Sequence, residues 1–254
     1  MAKDIENKIK ESLKSFNIKK DDIVLLTTSL TFEEVTIEEA VIVVKVLKDY
    51  LQKEGALIMD LSGKNIKRKD IFEERNFQLL EVFRKNRPAY SKKLASLYAD
   101  DALAIVLSLE RDAVFSKHFS QPYIGVGALA KLVLSNQSID FPNGNMSPLA
   151  RLYELRAKAV SYDEDIRKFK LNNFIFESSD QFLIKVNGGS VKEEENLIFK
   201  SYLEKVSSKK QIEKLVNDKN YKKLFLFKEF MDKDLLAVDV RDYIDYCRNF
   251  MLGD

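Results

Sequence analysis

Between residues 22 and 61 the chain carries two short apolar runs, DIVLLTTSL and ALIMDL, separated by the amphipathic segment VTIEEAVIVVKVLKDYLQKEG. Few architectures accommodate that order. Both runs are rich in β-favouring residues with little polar alternation, as expected of strands buried on both faces. The segment between them opens with Thr36 and Glu39 at capping-box spacing and closes at Gly55, the start and stop signals of a helix. Strand, helix and strand in this order form a right-handed crossover, which makes the strands parallel neighbours and places the ligand-accessible loops at their carboxyl ends. The fold class expected is therefore α/β, with a central mostly parallel or mixed sheet flanked by helices. With only 8 Gly and 4 Pro, 45% hydrophobic and 32% charged residues, the chain has little material for a linker, so 1–254 is expected to be a single domain.

The remaining segments are assigned by periodicity. Ile5, Ile9, Leu13 and Phe16 repeat at helix spacing over 3–16. The stretch 70–110 is helical by pattern, with an interruption at Pro88. YIGVGALAKLVLSNQ (123–137) is predicted as a helix with a glycine-containing start, and a short strand is predicted near AKAVSY. NFIFESSDQFLIKVNGG (173–189) alternates on both sides of SSD and predicts an antiparallel hairpin in the C-terminal third, after which Ser190 and Glu193 would cap a helix. KKLFLFKEF is strand-like, and DLLAVDVRDYIDYCRNFML is expected to close the fold as an amphipathic helix.

Composition excludes several classes of function. The formal net charge is +2, from 42 Lys+Arg against 40 Asp+Glu, with the signs interspersed, so no nucleic-acid partner is implied. The nearest basic run, SGKNIKRKD (62–70), reads as a solvated loop, with a phosphorylated ligand as the alternative. The lone Cys247 excludes an internal disulfide and a cysteine-based metal site, and no metal ligand set is assigned. The charged amphipathic start and the lack of a long apolar run point to the cytoplasm and away from a membrane. There is no Walker loop, dinucleotide fingerprint, H-E-x-x-H or G-x-S-x-G. His118 is the only histidine, so no site can use two imidazoles.

One local pattern could serve chemistry. In NGNMSPLARLYEL (143–155) a polar glycine-containing loop runs into Ser147 and Pro148 and then an apolar-periodic segment. Serine at the N-cap and proline at the first helical position suit a well-capped helix. The same arrangement points N–H groups at whatever faces the loop.

Several separated stretches resemble the aminoglycoside 3-N-acetyltransferase family when taken in order. These are the strand ending in TTSL, the helix leading to GALIMDLS, Ser116-x-His118 with Gly127 eleven residues after the serine, the FPNGNMSPLARLYEL block and the closing LAVDVRDYIDYCRNFM. The resemblance implies that acetyl-CoA is the acyl donor and that a small-molecule amine, such as an aminoglycoside, is the acceptor. It also implies Thr28, Ser29, Ser116 and Ser147 as contacts to the pantetheine arm or phosphates of coenzyme A. Hydroxyls and unpaired N–H groups at element ends suit amides and phosphate oxygens, although serine hydroxyls commonly bond to the local backbone instead.

The chain departs from the family where the chemistry is expected. Relatives end the first strand in His-Ser-Ser-Leu, and here it ends Thr27-Thr28-Ser29-Leu30. Past Val160, where relatives carry an Asn-Thr-x-x-His helix with the principal base, this chain reads SYDEDIRKFKLNN. No residue is therefore assigned as catalytic. Asp163, Glu164 or Asp165 could substitute, but an acidic cluster after a strand is the usual composition of a solvated loop. His118 matches a family histidine that precedes a loop proline, here Phe119, and the expected role is structural donation to a backbone carbonyl. Three functions remain: a weakly active N-acetyltransferase of this type, a non-catalytic relative that keeps the fold to bind a ligand or protein, or an acyltransferase using another acyl-CoA, which the sequence does not separate from the first.

Overall fold

The structure is a computed structural model in which the described residues are 2–28, 30–31, 33–51, 54–61, 101–162, 169–180, 182–193, 196–206, 208–230 and 233–253. The expected crossover forms its core. Strand β1 (Ile23–Thr28), helix α2 (Ile37–Leu51) and strand β2 (Ala56–Asp60) follow α1 (Ala2–Ser15), and β1 pairs in parallel with β2, Ile23 opposite Ala56. The capping box is made: Thr36 N donates to Glu39 Oε2 at 3.0 Å and Glu39 N to Thr36 Oγ1 at 3.2 Å, which satisfies two orphan donors of the first turn.

After α3 (Ala102–Ser108), β3 (Val114–Phe115) and β4 (Tyr123–Gly127) add antiparallel strands beside β2. The helix expected over 123–137 is thus a strand followed by the short α4 (Ala130–Leu134). Gly127 marks the change, with φ of 102° and a position where a Cβ would sit 2.4 Å from the Gly55 carbonyl oxygen; only glycine fits. The chain continues through α5 (Pro148–Glu154), β5 (Lys158–Tyr162) and α6 (Leu171–Glu177). It then forms a separate two-stranded ribbon of β6 (Ile184–Glu193) and β7 (Asn196–Lys205), followed by α7 (Lys209–Val216). The C-terminal third does contain an antiparallel hairpin, but not at 173–189. NFIFES is helix α6, and Ser190 with Glu193 belongs to strand β6 rather than a cap. A 3-10 turn at Tyr221–Leu224, β8 (Leu226–Phe230), β9 (Lys233–Asp239) and α8 (Val240–Leu252) complete the fold. The closing segment is therefore half strand and half helix. Asp239 accepts from Arg241 N and Asp242 N and so starts α8.

The sheet order is β3-β4-β2-β1-β5-β9-β8, with β1 parallel to both β2 and β5 and the other pairings antiparallel. It is the mixed sheet of the expected α/β class. Alternation assigns its two faces: Val24, Leu26, Leu57 and Met59 pack with α1, α2 and α3, whereas Ile23, Leu25, Ala56 and Ile58 pack with α4 to α8. Both faces are buried, which explains the continuous apolar runs. Among the described residues no helix is long and apolar enough to cross a membrane.

Candidate active site

The strand register gathers one edge of the sheet. Thr28 at the end of β1 lies opposite Tyr162 at the end of β5, and Asp60 at the end of β2 lies opposite Tyr123 at the start of β4. Ser116, just past β3, also stands at this edge, where its N donates to Tyr123 O at 2.9 Å and its Oγ accepts from Tyr123 N at 2.7 Å. Helix α5 returns to β5 through a tight turn with Arg156 at φ 53°, so the amino end of α5, with Ser147, faces the same edge. Ties from Ser138 N to Met146 O at 2.9 Å and from Gln137 Nε2 to Gln121 O at 3.0 Å hold its loop there.

The four residues singled out from sequence fare differently within this arrangement. Thr28 is half-buried, and its Oγ1 accepts from Leu30 N at 3.1 Å. Ser116 and Ser147 are fully buried. Ser147 Oγ accepts from Ala150 N at 3.1 Å, so the entrance to this seven-residue helix is a made N-cap. Ser29, like Asp163, Glu164 and Asp165, lies outside the described residues.

A buried polar array runs along the edge toward the β6–β7 ribbon. Lys170 pairs with Asp60 at 2.9 Å and lies 5.9 Å from the Tyr123 ring centroid. Tyr123 donates its hydroxyl proton to Asn143 Oδ1 at 2.8 Å, and Asn143 Nδ2 donates to Gln121 Oε1 at 2.7 Å. Gln121 Nε2 in turn reaches Glu204 Oε2 at 3.0 Å, and Lys185 pairs with Glu204 at 2.8 Å. His118 braces the array from within: its Nδ1 accepts from Ser120 N at 3.1 Å and Gln121 N at 2.8 Å, which leaves Nε2 to donate to Ile139 O at 3.0 Å. The ring stands edge-on to Tyr202, centroids 4.8 Å apart. Both nitrogens are committed to the backbone, the structural role expected of it.

Glu177, at the end of α6, is the titratable group sequence analysis passed over. Its Oε2 accepts from Asn143 N at 2.6 Å and its Oε1 from Asn143 Nδ2 at 3.3 Å. Burial pushes its carboxyl up to about 7, against the lowering effect of the Asn143 bonds. It lines a polar pocket of about 130 Å³ with Asn143, Asn173, Lys185 and Glu204. A carboxylate that exchanges its proton near neutral pH is matched to general-base work. Ser161 was also missed. It is paired in register with Thr27, and its buried Oγ has no hydrogen-bond partner among the described residues. Cys247 is buried, with its thiol pushed up to about 12 by that burial, so it offers no thiolate nucleophile.

A model of the family described as aminoglycoside 3-N-acetyltransferase matches residues 25–251. The chain belongs to the aminoglycoside 3-N-acetyltransferase family. No curated protein matches the chain by sequence. Among solved structures, the YokD protein from Bacillus subtilis is 17% identical, with a TM-score of 0.81 over 98% of this chain and 99% of that one. Aminoglycoside acetyltransferase AAC(3)-IIb is 13% identical with a TM-score of 0.80, covering 98% and 96%. AAC-IIIb, solved as a binary complex with CoASH, is 11% identical with a TM-score of 0.80 over 98% and 96%.

In this aminoglycoside 3-N-acetyltransferase family member, Thr27 stands where the resemblance expects histidine. It is buried, and its Oγ1 lies 3.4 Å from Val160 O. Past Val160 and β5, the next helix among the described residues is α6, whose inward groups include Asn172, which accepts from Tyr243 OH at 2.7 Å, and Glu177. Glu177 is thus a buried acidic group at the site, while the 163–165 cluster considered from sequence lies outside the described residues.

Proposed function

We propose that the chain is an N-acetyltransferase that takes its acyl group from acetyl-CoA and delivers it to an amine of a small molecule, with Glu177 as general base. The observation that carries this is a buried carboxyl raised to about 7, lining a polar pocket beside the strand-end edge. The coenzyme A complex of AAC-IIIb supports the choice of donor, and the sisomicin complex of AAC-VIa supports a small molecule as acceptor. The residues present fit the donor. Thr28 ends β1 with a short polar side chain, Ser29 follows it in sequence, and the Ser161 Oγ, opposite Thr27 and without a partner among the described residues, can bond an amide. Ser116 and Ser147 brace the surrounding loops through their acceptor sites and keep an O–H each to donate.

Bound there, acetyl-CoA supplies an acyl group already activated as a thioester. Glu177, as carboxylate, accepts the proton that the amine nitrogen sheds on becoming an amide, and the Asn143 donors hold that carboxylate in one orientation. Lys185 and Lys205 are cations on the pocket wall, so the acceptor favoured is one whose attacking amine is neutral near pH 7. Thiol release from acetyl-CoA, measured across a panel of amines including aminoglycosides, tests the reading; turnover lost in Glu177→Gln is expected, and turnover unchanged by that substitution overturns the role of Glu177.

A second reading, a ligand-binding relative without turnover, is favoured by the burial of Ser116 and Ser147 and by the lack of histidine at Thr27 and past Val160. Coenzyme A binding with no thiol release from any amine would select it.

A further inference from the structure

On the other face of the sheet lies a cavity of about 150 Å³. Its walls are apolar: Ile9 and Leu13 of α1, Leu26 and Leu30 on either side of Thr28, Val43 and Leu47 of α2, with the rings of Phe16, Tyr162 and Phe230. Ser12, on the wall, donates its hydroxyl proton to Lys8 O at 2.8 Å, so this hydroxyl is already bonded within α1. The charged residues on the lining, Glu34, Glu39 and Lys233, are exposed or half-buried and mark the side that opens to solvent. Lys233 pairs with Glu34 at 3.4 Å across that opening.

An apolar interior behind a charged rim suits an amphiphile whose polar part stays outside and whose hydrocarbon enters. Dry apolar cavities of about 150 Å³ bind molecules the size of benzene, so a chain of about six carbons matches the space. The position selects the amphiphile. Leu26 and Leu30 flank Thr28, assigned above as a contact to coenzyme A, whereas the polar pocket of Glu177 lies with the helices of the opposite face. We propose that this cavity is an acyl-chain pocket and that the chain accepts medium-length acyl-CoA donors, binding hexanoyl-CoA more tightly than acetyl-CoA. This rests on the assignment of coenzyme A to the end of β1.

Equilibrium binding and thermal shift with coenzyme A, acetyl-CoA and hexanoyl-CoA test it without requiring turnover. Each buried methylene contributes about fourfold in affinity, so four more set a ceiling of about 250-fold. The expected result is a preference for hexanoyl-CoA over acetyl-CoA of at least about tenfold. In Val43→Phe the preference should collapse while coenzyme A affinity persists. Val35→Phe, at a second half-buried wall position, provides the same test should the first variant fold poorly. Coenzyme A binding with equal affinity for the two thioesters, or a preference that survives both substitutions, overturns the pocket and leaves the proposed function standing. No binding of any of the three overturns both.

Discussion

Two cavities of similar size lie on opposite faces of one sheet, and burial acts in them in opposite senses. The space under α1 and α2, about 150 Å³, is walled mainly by Ile, Leu, Val and aromatic side chains, whereas the space beside α6, about 130 Å³, is walled mainly by Asn143, Asn173, Glu177, Lys185, Glu204 and Lys205. In the first, exclusion of water is itself the source of affinity, because every methylene placed there leaves water. In the second, exclusion of water penalises charge and lifts the Glu177 carboxyl to about 7. One side is therefore suited to recognise hydrocarbon and the other to move a proton.

The sharpest way to break this contrast is to neutralise the polar side without changing its volume. Glu177→Gln should lower kcat/KM for acetyl transfer by about a hundredfold to ten-thousandfold, the range for loss of a general base, measured by thiol release. Next is the pH dependence of folding. The folded carboxyl of Glu177 sits at about 7 against an ordinary value of 4.5, so the folded state binds the proton more tightly. Its contribution to stability is fully present below about pH 4.5 and is lost as pH rises through about 7, amounting to about 3 kcal/mol. Urea unfolding at pH 5 and pH 8 should show that loss in the natural protein and a flatter profile in Glu177→Gln.

A smaller effect is expected where the array is trimmed at its rim. Tyr123→Phe removes the donor to Asn143 Oδ1, a 2.8 Å bond between buried groups, and should cost about 1–3 kcal/mol because the acceptor is left unsatisfied. Smallest is Ser147→Ala, which removes the N-cap bond to Ala150 N and should cost about 1 kcal/mol. Chemical denaturation measures both. A fall of more than tenfold in coenzyme A affinity on Ser147→Ala would show that the serine also donates to the ligand.

The apolar side was far more legible in the sequence than the polar one. The crossover could be read because β1 and β2 are continuous apolar runs and the Thr36–Glu39 box announces its own geometry. Helix α6 could not, because Leu171, Asn172, Phe174, Ile175, Phe176 and Glu177 are all buried. A helix buried all round loses its 3.6-residue signal, and Phe174 with Phe176 then imitates strand alternation. The same misassignment hid Glu177, which as part of a supposed hairpin had no reason to be buried or to meet Asn143, 34 positions away. At 123–137 Gly125 and Gly127 imitate a helix start and so hide the strand, whereas Gly127 ends β4 with a positive φ. The edge position of Thr28 followed from the crossover alone, but the local bonds that occupy Ser116 and Ser147 depend on chain neighbours that no spacing rule supplies.

The pH profile of acetyl transfer in the natural protein and in Glu177→Gln tests the account most directly. If Glu177 is the base, kcat/KM for thiol release rises with pH through about 7, across the same interval in which stability falls, and Glu177→Gln loses both the rate and that step. A Glu177→Gln protein that releases thiol at the natural rate with the same step near pH 7 would contradict it.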